Sequence, residues 1–208
     1  MYQNDAMKVL TGEVRLSYVN LLEPRSTPQG GDAKYSITLL IPKSDAITKA
    51  DIDASMQAAA QAALPKIWGG VRPAMLRVPI YDGDGTRPSG EPFGEECKGH
   101  WVMTASSKIP PEVVGIDNIN VKLAPMDVYS GMYARVTIRF FGYSNSGNKG
   151  IGCGLGNVMK TRDGEALAGR ASAATDFNGV GNTIAQQPAT DTSFWYQPTM
   201  NPITGMPL

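Results

Sequence analysis

Hydrophobic and polar residues alternate most regularly over Met132–Tyr143, which predicts a β-strand with two different sides. Every second residue from Met132 onward is apolar and gives a plain core stripe. The other side interleaves aromatic and basic residues: Tyr133, Arg135, Thr137, Arg139, Phe141 and Tyr143. Such a side suits a single-stranded nucleic acid, because guanidinium groups bind phosphates while bases stack on rings. A half-covered sheet face with solvated arginines explains the pattern about equally well, since aromatic residues are common in strands.

Further strands are predicted where short apolar runs or alternation lie between turn residues. In Lys8–Asn20, the glycine at position 12 predicts a bulge or a sharp bend. The other predicted strands are Ala33–Pro42, Ala74–Tyr81, His100–Lys108, Asn118–Leu123 and Leu155–Lys160. The six glycines of Gly142–Gly156 predict a long hairpin or loop, with a flap over a bound strand as a hypothesis for it.

One helix is predicted, over Ser44–Trp68, capped by Ser44 or Thr48 and closed or kinked by Pro65. Short, closely spaced strands with a single helix favour a mostly β fold. We therefore predict an OB-fold-like antiparallel five-stranded barrel with one inserted helix and an extra hairpin. This domain is expected to occupy residues 1–178, and the polar residues 179–208 are expected to form a flexible C-terminal tail with one aromatic patch, Phe194–Tyr196.

The charge of the chain is balanced overall but not locally. It has 19 basic and 19 acidic residues, and 42% of its residues are hydrophobic, as in a globular protein. Tyr129–Arg162 contains five basic residues and no acidic one, whereas Asp82–Glu96 contains five acidic residues and one arginine. A neutral protein polarised in this way can present a cationic groove to a phosphate backbone.

Signals for an enzyme or a metal protein are weak. Cys97, Cys153 and the single histidine, His100, have no zinc-ligand spacing, and there is no nucleophile elbow. We expect unpaired thiols, no cofactor and no enzymatic activity. The N-terminal residues resemble no signal peptide, and nowhere do about 18 apolar residues follow one another. The expectation is a soluble, intracellular protein.

The candidate site contains more residues than the alternating strand alone. Trp101 is predicted to belong to the core more than to a stacking surface, at about 60 to 40. Other basic residues lie on strands or their rims, where a groove would use them. The full candidate set for nucleic-acid binding is Tyr133, Arg135, Arg139, Phe141, Tyr143, Lys149, Lys160, Arg162, Trp101, Lys98, Arg77 and Lys34.

Four segments together resemble a known family. They are Y-S-I-T-L-L-I-P-K at Tyr35–Lys43, V-P-I-Y-D-G-D at Val78–Asp84, Y-S-G-M-Y-A-R-V at Tyr129–Val136, and the glycine-rich Gly147–Glu165. With them the chain resembles, from Lys8 to Phe177, a family of bacteriophage single-stranded DNA-binding proteins long catalogued as a domain of unknown function. The resemblance implies an OB-fold and sequence-independent ssDNA binding in phage DNA replication or recombination, in the cytoplasm of the infected bacterial host.

The resemblance leaves other points open. Replicative ssDNA-binding proteins often end in an acidic tail that recruits partners, and this sequence has no acidic cluster there. Either phage or host replication proteins then bind the aromatic patch of the tail, or the tail has a different role. The oligomeric state stays open between monomer and dimer. Two rivals remain: a structural virion or assembly protein without DNA affinity, and a metal-dependent nuclease.

Overall fold

The structure, a computed structural model, describes residues 4–26, 31–145 and 147–167 of the 208-residue chain. Three expectations concern residues outside the described ranges: the domain boundary at residue 178, the flexible tail and the aromatic patch of the tail. The described elements are β1 (Lys8–Leu10), β2 (Val14–Arg25), β3 (Lys34–Pro42), α1 (Ala46–Lys66), β4 (Ile80–Asp82), β5 (His100–Ser107), β6 (Val113–Gly115), β7 (Asn118–Lys122), β8 (Tyr133–Asn145), β9 (Asn148–Arg162) and single 3-10 turns at Glu95–Cys97 and Pro125–Asp127.

Five strands pair in a closed ring, in the order β2, β3, β5, β9, β8 and back to β2. Four of these pairings are antiparallel, and the one between β5 and β9 is parallel. β6 and β7 form an extra hairpin beside β9, while β1 and β4 pair with β8 and β5. A ring of five strands with one inserted helix confirms the predicted OB-fold-like architecture.

The core lies inside the ring, because each strand turns every second side chain inward. Ile37, Leu39 and Ile41 of β3 are fully buried, as are Met103 of β5 and Phe140 of β8. Burying one such side chain contributes roughly 1.5–3 kcal/mol. The predicted apolar side of β8 is thereby confirmed, and so is the predicted strand that corresponds to β3.

The helix packs against β8 and β1 through its small residues. At Gly142 a Cβ atom would collide with Ala63, so the glycine permits the close approach of helix and strand. Just beyond the helix, Trp68 is buried and its indole Nε1 donates to the carbonyl oxygen of Tyr143 at 3.0 Å. This bond fixes the end of β8 to the helix.

Several predicted strand boundaries are wrong. The predicted first strand is two strands, β1 and β2, which break at the bend around Gly12. Of the predicted strand Ala74–Tyr81 only Ile80 and Tyr81 belong to β4, because Pro79 cannot donate to a ladder. The strand β6 was not predicted, since three residues are too few for alternation to mark them.

Of the two alternatives predicted for Gly142–Gly156, the long hairpin is confirmed and the loop is wrong. Most of this segment is β9, a 15-residue strand that pairs with β8 almost to the hairpin tip. Ile151, Cys153 and Leu155 alternate with the glycines and are buried, so the segment keeps an apolar side. Both cysteines are buried and unpaired, as the sequence predicted.

The N-terminal cap of α1 differs from the prediction and can be tested. The cap is Asp45, whose carboxylate accepts from the backbone N–H of Thr48 at 3.0 Å, while the Thr48 hydroxyl is used by Gly12 N. We expect Asp45→Ala to lower the free energy of unfolding by about 1 kcal/mol in urea denaturation. The control, Ser44→Ala, should change it by less than about 0.5 kcal/mol. Equal effects of the two changes would contradict this assignment.

Candidate nucleic-acid interface

The outer side of β8, which we call the β8 face, carries the six residues that the alternation predicted. Its neighbours along the strand, from Ala134 to Phe140, are at most 1% exposed, while every side chain of the β8 face is at least partly exposed. Phe141 is the most exposed of its aromatic residues, at 47%. The sheet therefore presents these side chains to solvent while the core fixes their spacing.

Glycines of β9 form the floor beside the rings of the β8 face. Phe141 lies opposite Gly152, and Tyr143 lies opposite Gly150. A Cβ atom on Gly152 would stand only 2.6 Å from Cζ of Phe141, and one on Gly150 only 2.9 Å from Cζ of Tyr143. Both rings thus lean across the neighbouring strand, where no side chain lifts them away. The ring of Phe141 rests on the sheet and leaves its other side open.

The two arginines in the middle of the β8 face have partners within the chain. The guanidinium of Arg139 forms an ion pair with Asp5, and Arg135 Nε donates to the carbonyl oxygen of Thr11 at 3.1 Å. Arg139 is half exposed, and Lys8 is its partner in the pairing of β1 with β8. An exposed ion pair is worth about 0–1 kcal/mol, so a phosphate group can take the place of the Asp5 carboxylate.

Tyr133, at the far end of the β8 face, has its ring already occupied by cations. The guanidinium carbon of Arg162 lies 3.4 Å from the ring centroid, and that of Arg15 lies 5.9 Å from it. Arg162 also pairs with Glu13 at 2.9 Å. A hydrogen bond from Thr161 and the nearby Arg162 lower the pKa of Glu13, which stays ionised beside the arginine. Tyr133 is therefore less open to a base than Phe141.

Two predicted residues lie near the hairpin tip, on different sides of it. Arg77 bridges to Gly150, which lies opposite Tyr143, so its exposed side chain joins the β8 face. Lys149, at the start of β9, lies opposite Ser144, so its side chain points to the other side of the hairpin from Tyr143. Of the two, Arg77 is the cation placed beside the rings.

Four predicted residues lie away from the β8 face. Trp101 is half buried, and the ammonium groups of Lys43 and Lys49 lie 5.1 and 4.8 Å from its ring centroid. The side chain of Lys160 is 11% exposed and pairs with Asp163 at 2.7 Å. The other two are Lys98, which pairs with Glu95 in the acidic loop, and Lys34, at the start of β3.

A second group of aromatic residues, outside the predicted candidate set, surrounds a cavity on the outer side of β3 and β5. The cavity has a volume of about 270 Å³. Thr38 and Thr104 lie at its floor. Its walls include Tyr18 of β2, Tyr81 of β4, and Arg87 and Phe93 from the loop between β4 and β5. We call it the β3–β5 cavity. The one arginine of an acidic loop was the signal in the sequence that could have pointed to it.

Tyr18 reaches the cavity because of a bulge in β2. Ser17 pairs with Thr38 and Asn20 with Ser36, so β2 has one residue more than β3 between these pairs. Tyr18 has a φ of 47°, in the left-handed region, and its side chain is 63% exposed. Such a conformation costs a non-glycine residue roughly 1–2 kcal/mol. The amide of Asn20, which donates to Tyr18 O at 3.1 Å, helps to hold it.

The β8 face and the β3–β5 cavity belong to one continuous outer surface. In a row across the strands, Ser36 pairs with Ser106, Ser106 with Gly154, and Gly154 with Arg139. Small side chains thus form the floor between the aromatic groups on either side. OB-folds bind oligonucleotides on the face of their second and third strands, which are β3 and β5 in this ring.

Two features of the described residues bear on other functions. Among the residues that the structure describes, no three His, Cys, Asp or Glu side chains are grouped as ligands of a metal ion would be. In the same residues, no helix is long and apolar enough to cross a membrane.

Comparison with known proteins gives a consistent set of relatives. The family described as "Enterobacter phage Enc34, ssDNA-binding protein" matches residues 7–189. The solved single-stranded DNA-binding protein from bacteriophage Enc34, in complex with ssDNA, is 28% identical, with a TM-score of 0.67, over 78% of this chain and 90% of that one. The putative protein p50 of Acyrthosiphon pisum secondary endosymbiont phage 1 is 28% identical over 82% of this chain and 91% of its own length. The fold also matches gp2.5, a single-stranded DNA binding protein encoded by bacteriophage T7, at a TM-score of 0.53 and 15% identity over 79% of this chain and 96% of that one.

Proposed function

The chain belongs to the family of the Enterobacter phage Enc34 ssDNA-binding protein, and from this premise we propose that it binds single-stranded DNA without sequence preference. The observation that carries the proposal is the exposed ring of Phe141, which rests on Gly152 next to Arg139. A base can stack on the open side of such a ring whatever its identity, because every base has a π-face. The adjacent guanidinium is placed to bind the phosphate.

The strand of DNA is proposed to cross the outer surface from the β3–β5 cavity to the β8 face. Ser106 and Gly154 along this path have small side chains or none, so the sugar–phosphate backbone can approach the sheet. At the β8 end, the stacking rings are Phe141 and Tyr143, and the phosphate-binding residues are Arg135, Arg139 and Arg77. Tyr133 and Arg162 extend this end of the path, since they already stack on each other.

The remaining parts of the proposal rest on the family. We propose that the protein is not an enzyme and acts in phage DNA replication or recombination in the cytoplasm of the infected bacterial host. Binding should weaken as the salt concentration rises, because each phosphate contact releases condensed counterions.

Fluorescence anisotropy of labelled oligo-dT at two salt concentrations, with duplex DNA as competitor, tests the proposal. We expect salt-sensitive binding that the duplex does not displace. Absence of binding at low salt would refute it and favour the structural virion or assembly role.

The arginines of the β8 face are expected to set part of this salt dependence. Arg139→Ala should reduce the slope of log K against log salt by about 0.7, and the double change Arg135→Ala with Arg139→Ala by about 1.4. The matched control is Lys98→Ala, which removes a cation paired with Glu95 away from the β8 face. An unchanged slope in the double variant, or an equal loss in the control, would place the phosphates elsewhere.

A further inference from the structure

Arg87 carries an unused hydrogen-bond donor at the β3–β5 cavity. Its Nε is buried and has no hydrogen-bond partner among the described residues. The guanidinium carbon lies 5.4 Å from the ring centroid of Phe93, so the side chain is held against an aromatic wall. A buried donor without an acceptor is costly, at about 1–3 kcal/mol of lost solvation. An acceptor atom in the cavity would remove this cost.

The chemistry of the walls selects an uncharged, flat acceptor. Tyr18, Tyr81 and Phe93 are aromatic, and the ring centroids of the last two lie 6.4 Å apart. The loop that carries Arg87 also carries Glu91, Glu95 and Glu96, whose charges repel a phosphate group. A nucleobase meets both conditions, because it has π-faces and carbonyl or ring-nitrogen acceptors but no charge.

Tyr18 supplies the surface on which such a base can stack. Phe93 is in contact with Arg87 and Tyr81, whereas Tyr18 is the most exposed ring of the cavity. Its left-handed backbone is the conformation that the bulge imposes, and backbone held in such unfavourable regions is typical of ligand-binding sites. The backbone N–H of Val19 donates to Ser130 Oγ at 3.1 Å, which fixes the bulge from the other side.

We propose that the β3–β5 cavity holds one nucleobase of the bound strand, stacked on Tyr18 and accepting a hydrogen bond from Arg87 Nε. The inference rests on the proposed ssDNA binding and adds a residue-level base site at the opposite end of the path from Phe141. Its occupant is a base and not a phosphate. The site therefore contributes to affinity without contributing to the salt dependence.

The test uses the full chain with oligo-dT and with an oligonucleotide of equal length made of abasic residues. Tyr18→Gly removes the ring and suits the positive φ, so the fold is kept; Arg87→Met removes the donor but keeps an apolar stem. Each should weaken oligo-dT binding about fivefold, the lower part of the range for a lost base stack. Neither should alter the salt slope, nor the affinity for the abasic strand.

Controls separate this site from the proposed function. Tyr18→Phe keeps the ring and should bind as the wild type does, and Arg72→Met removes an exposed arginine elsewhere without effect. A salt slope reduced by about 0.7 in Arg87→Met would identify a phosphate contact and overturn the inference. Unchanged oligo-dT binding in both variants would overturn it as well, while ssDNA binding itself stands. If the wild type binds no oligo-dT, the proposed function fails and the base site fails with it.

Discussion

Replacing Phe141 and Tyr143 together by alanine is expected to lower the affinity for oligo-dT about a hundredfold. Each ring that stacks on a base contributes roughly 1–3 kcal/mol, and two such contributions of about 1.4 kcal/mol give this factor. The salt slope should stay unchanged, since neither side chain carries a charge. Anisotropy titrations at several salt concentrations measure both quantities.

The fold should survive this double change. Phe141 is 47% exposed, and the hydrogen bond that anchors this end of β8 is donated by Trp68 Nε1 to the backbone carbonyl oxygen of Tyr143, which any replacement at 143 retains. Thermal unfolding should therefore occur close to the wild-type temperature. A variant that binds weakly and also unfolds much earlier would not support the stacking role.

Tyr133 provides the matched control for these two rings. It lies on the same side of β8, but Arg162 and Arg15 already contact its ring. We expect Tyr133→Leu to reduce affinity less than Phe141→Ala does, because a base must first displace a guanidinium. Equal losses from both single changes would contradict the distinction between an open and an occupied ring.

The sequence was sufficient to predict which side faces the core in strands that bury one side. In β8 the apolar positions recur every second residue, and this period alone determines which side faces the core. β3 follows the same period with Ile37, Leu39 and Ile41, while Leu40 is buried on its outer side with Cys97 and Val102. β9 carries the same signal in Ile151, Cys153 and Leu155, but the glycines between them left a hairpin and a loop as alternatives. Glycine disfavours a strand locally, and here the rings of Phe141 and Tyr143 cover the glycines from the neighbouring strand.

The parts of the site that escaped prediction depend on contacts between distant residues. The bulge that turns Tyr18 toward Phe93 arises from the pairing of β2 with β3, and no residue of β2 signals it. The net positive charge of Tyr129–Arg162 is also partly neutralised in the fold, because Asp5 and Glu13, from the N-terminal part of the chain, form ion pairs with Arg139 and Arg162. The sequence predicted that basic residues lie on this surface, but not which acidic residues pair with them.

The glycine floor leads to the second large effect. Gly152→Leu places a side chain where the ring of Phe141 lies, since even its Cβ would stand 2.6 Å from Cζ of that ring. The ring must swing away and the leucine obstructs the approach of the strand, so we expect about a thirtyfold loss of oligo-dT affinity, within the range for a lost base stack. Gly154→Ala, two residues further along the same side, is the control. A Cβ at that position would lie 3.3 Å from Arg139 O and 3.8 Å from the Phe141 ring, which small shifts accommodate. If Gly154→Ala weakens binding as much as Gly152→Leu does, any side chain on the β9 glycines hinders binding. The position of the Phe141 ring would then not explain the affinity.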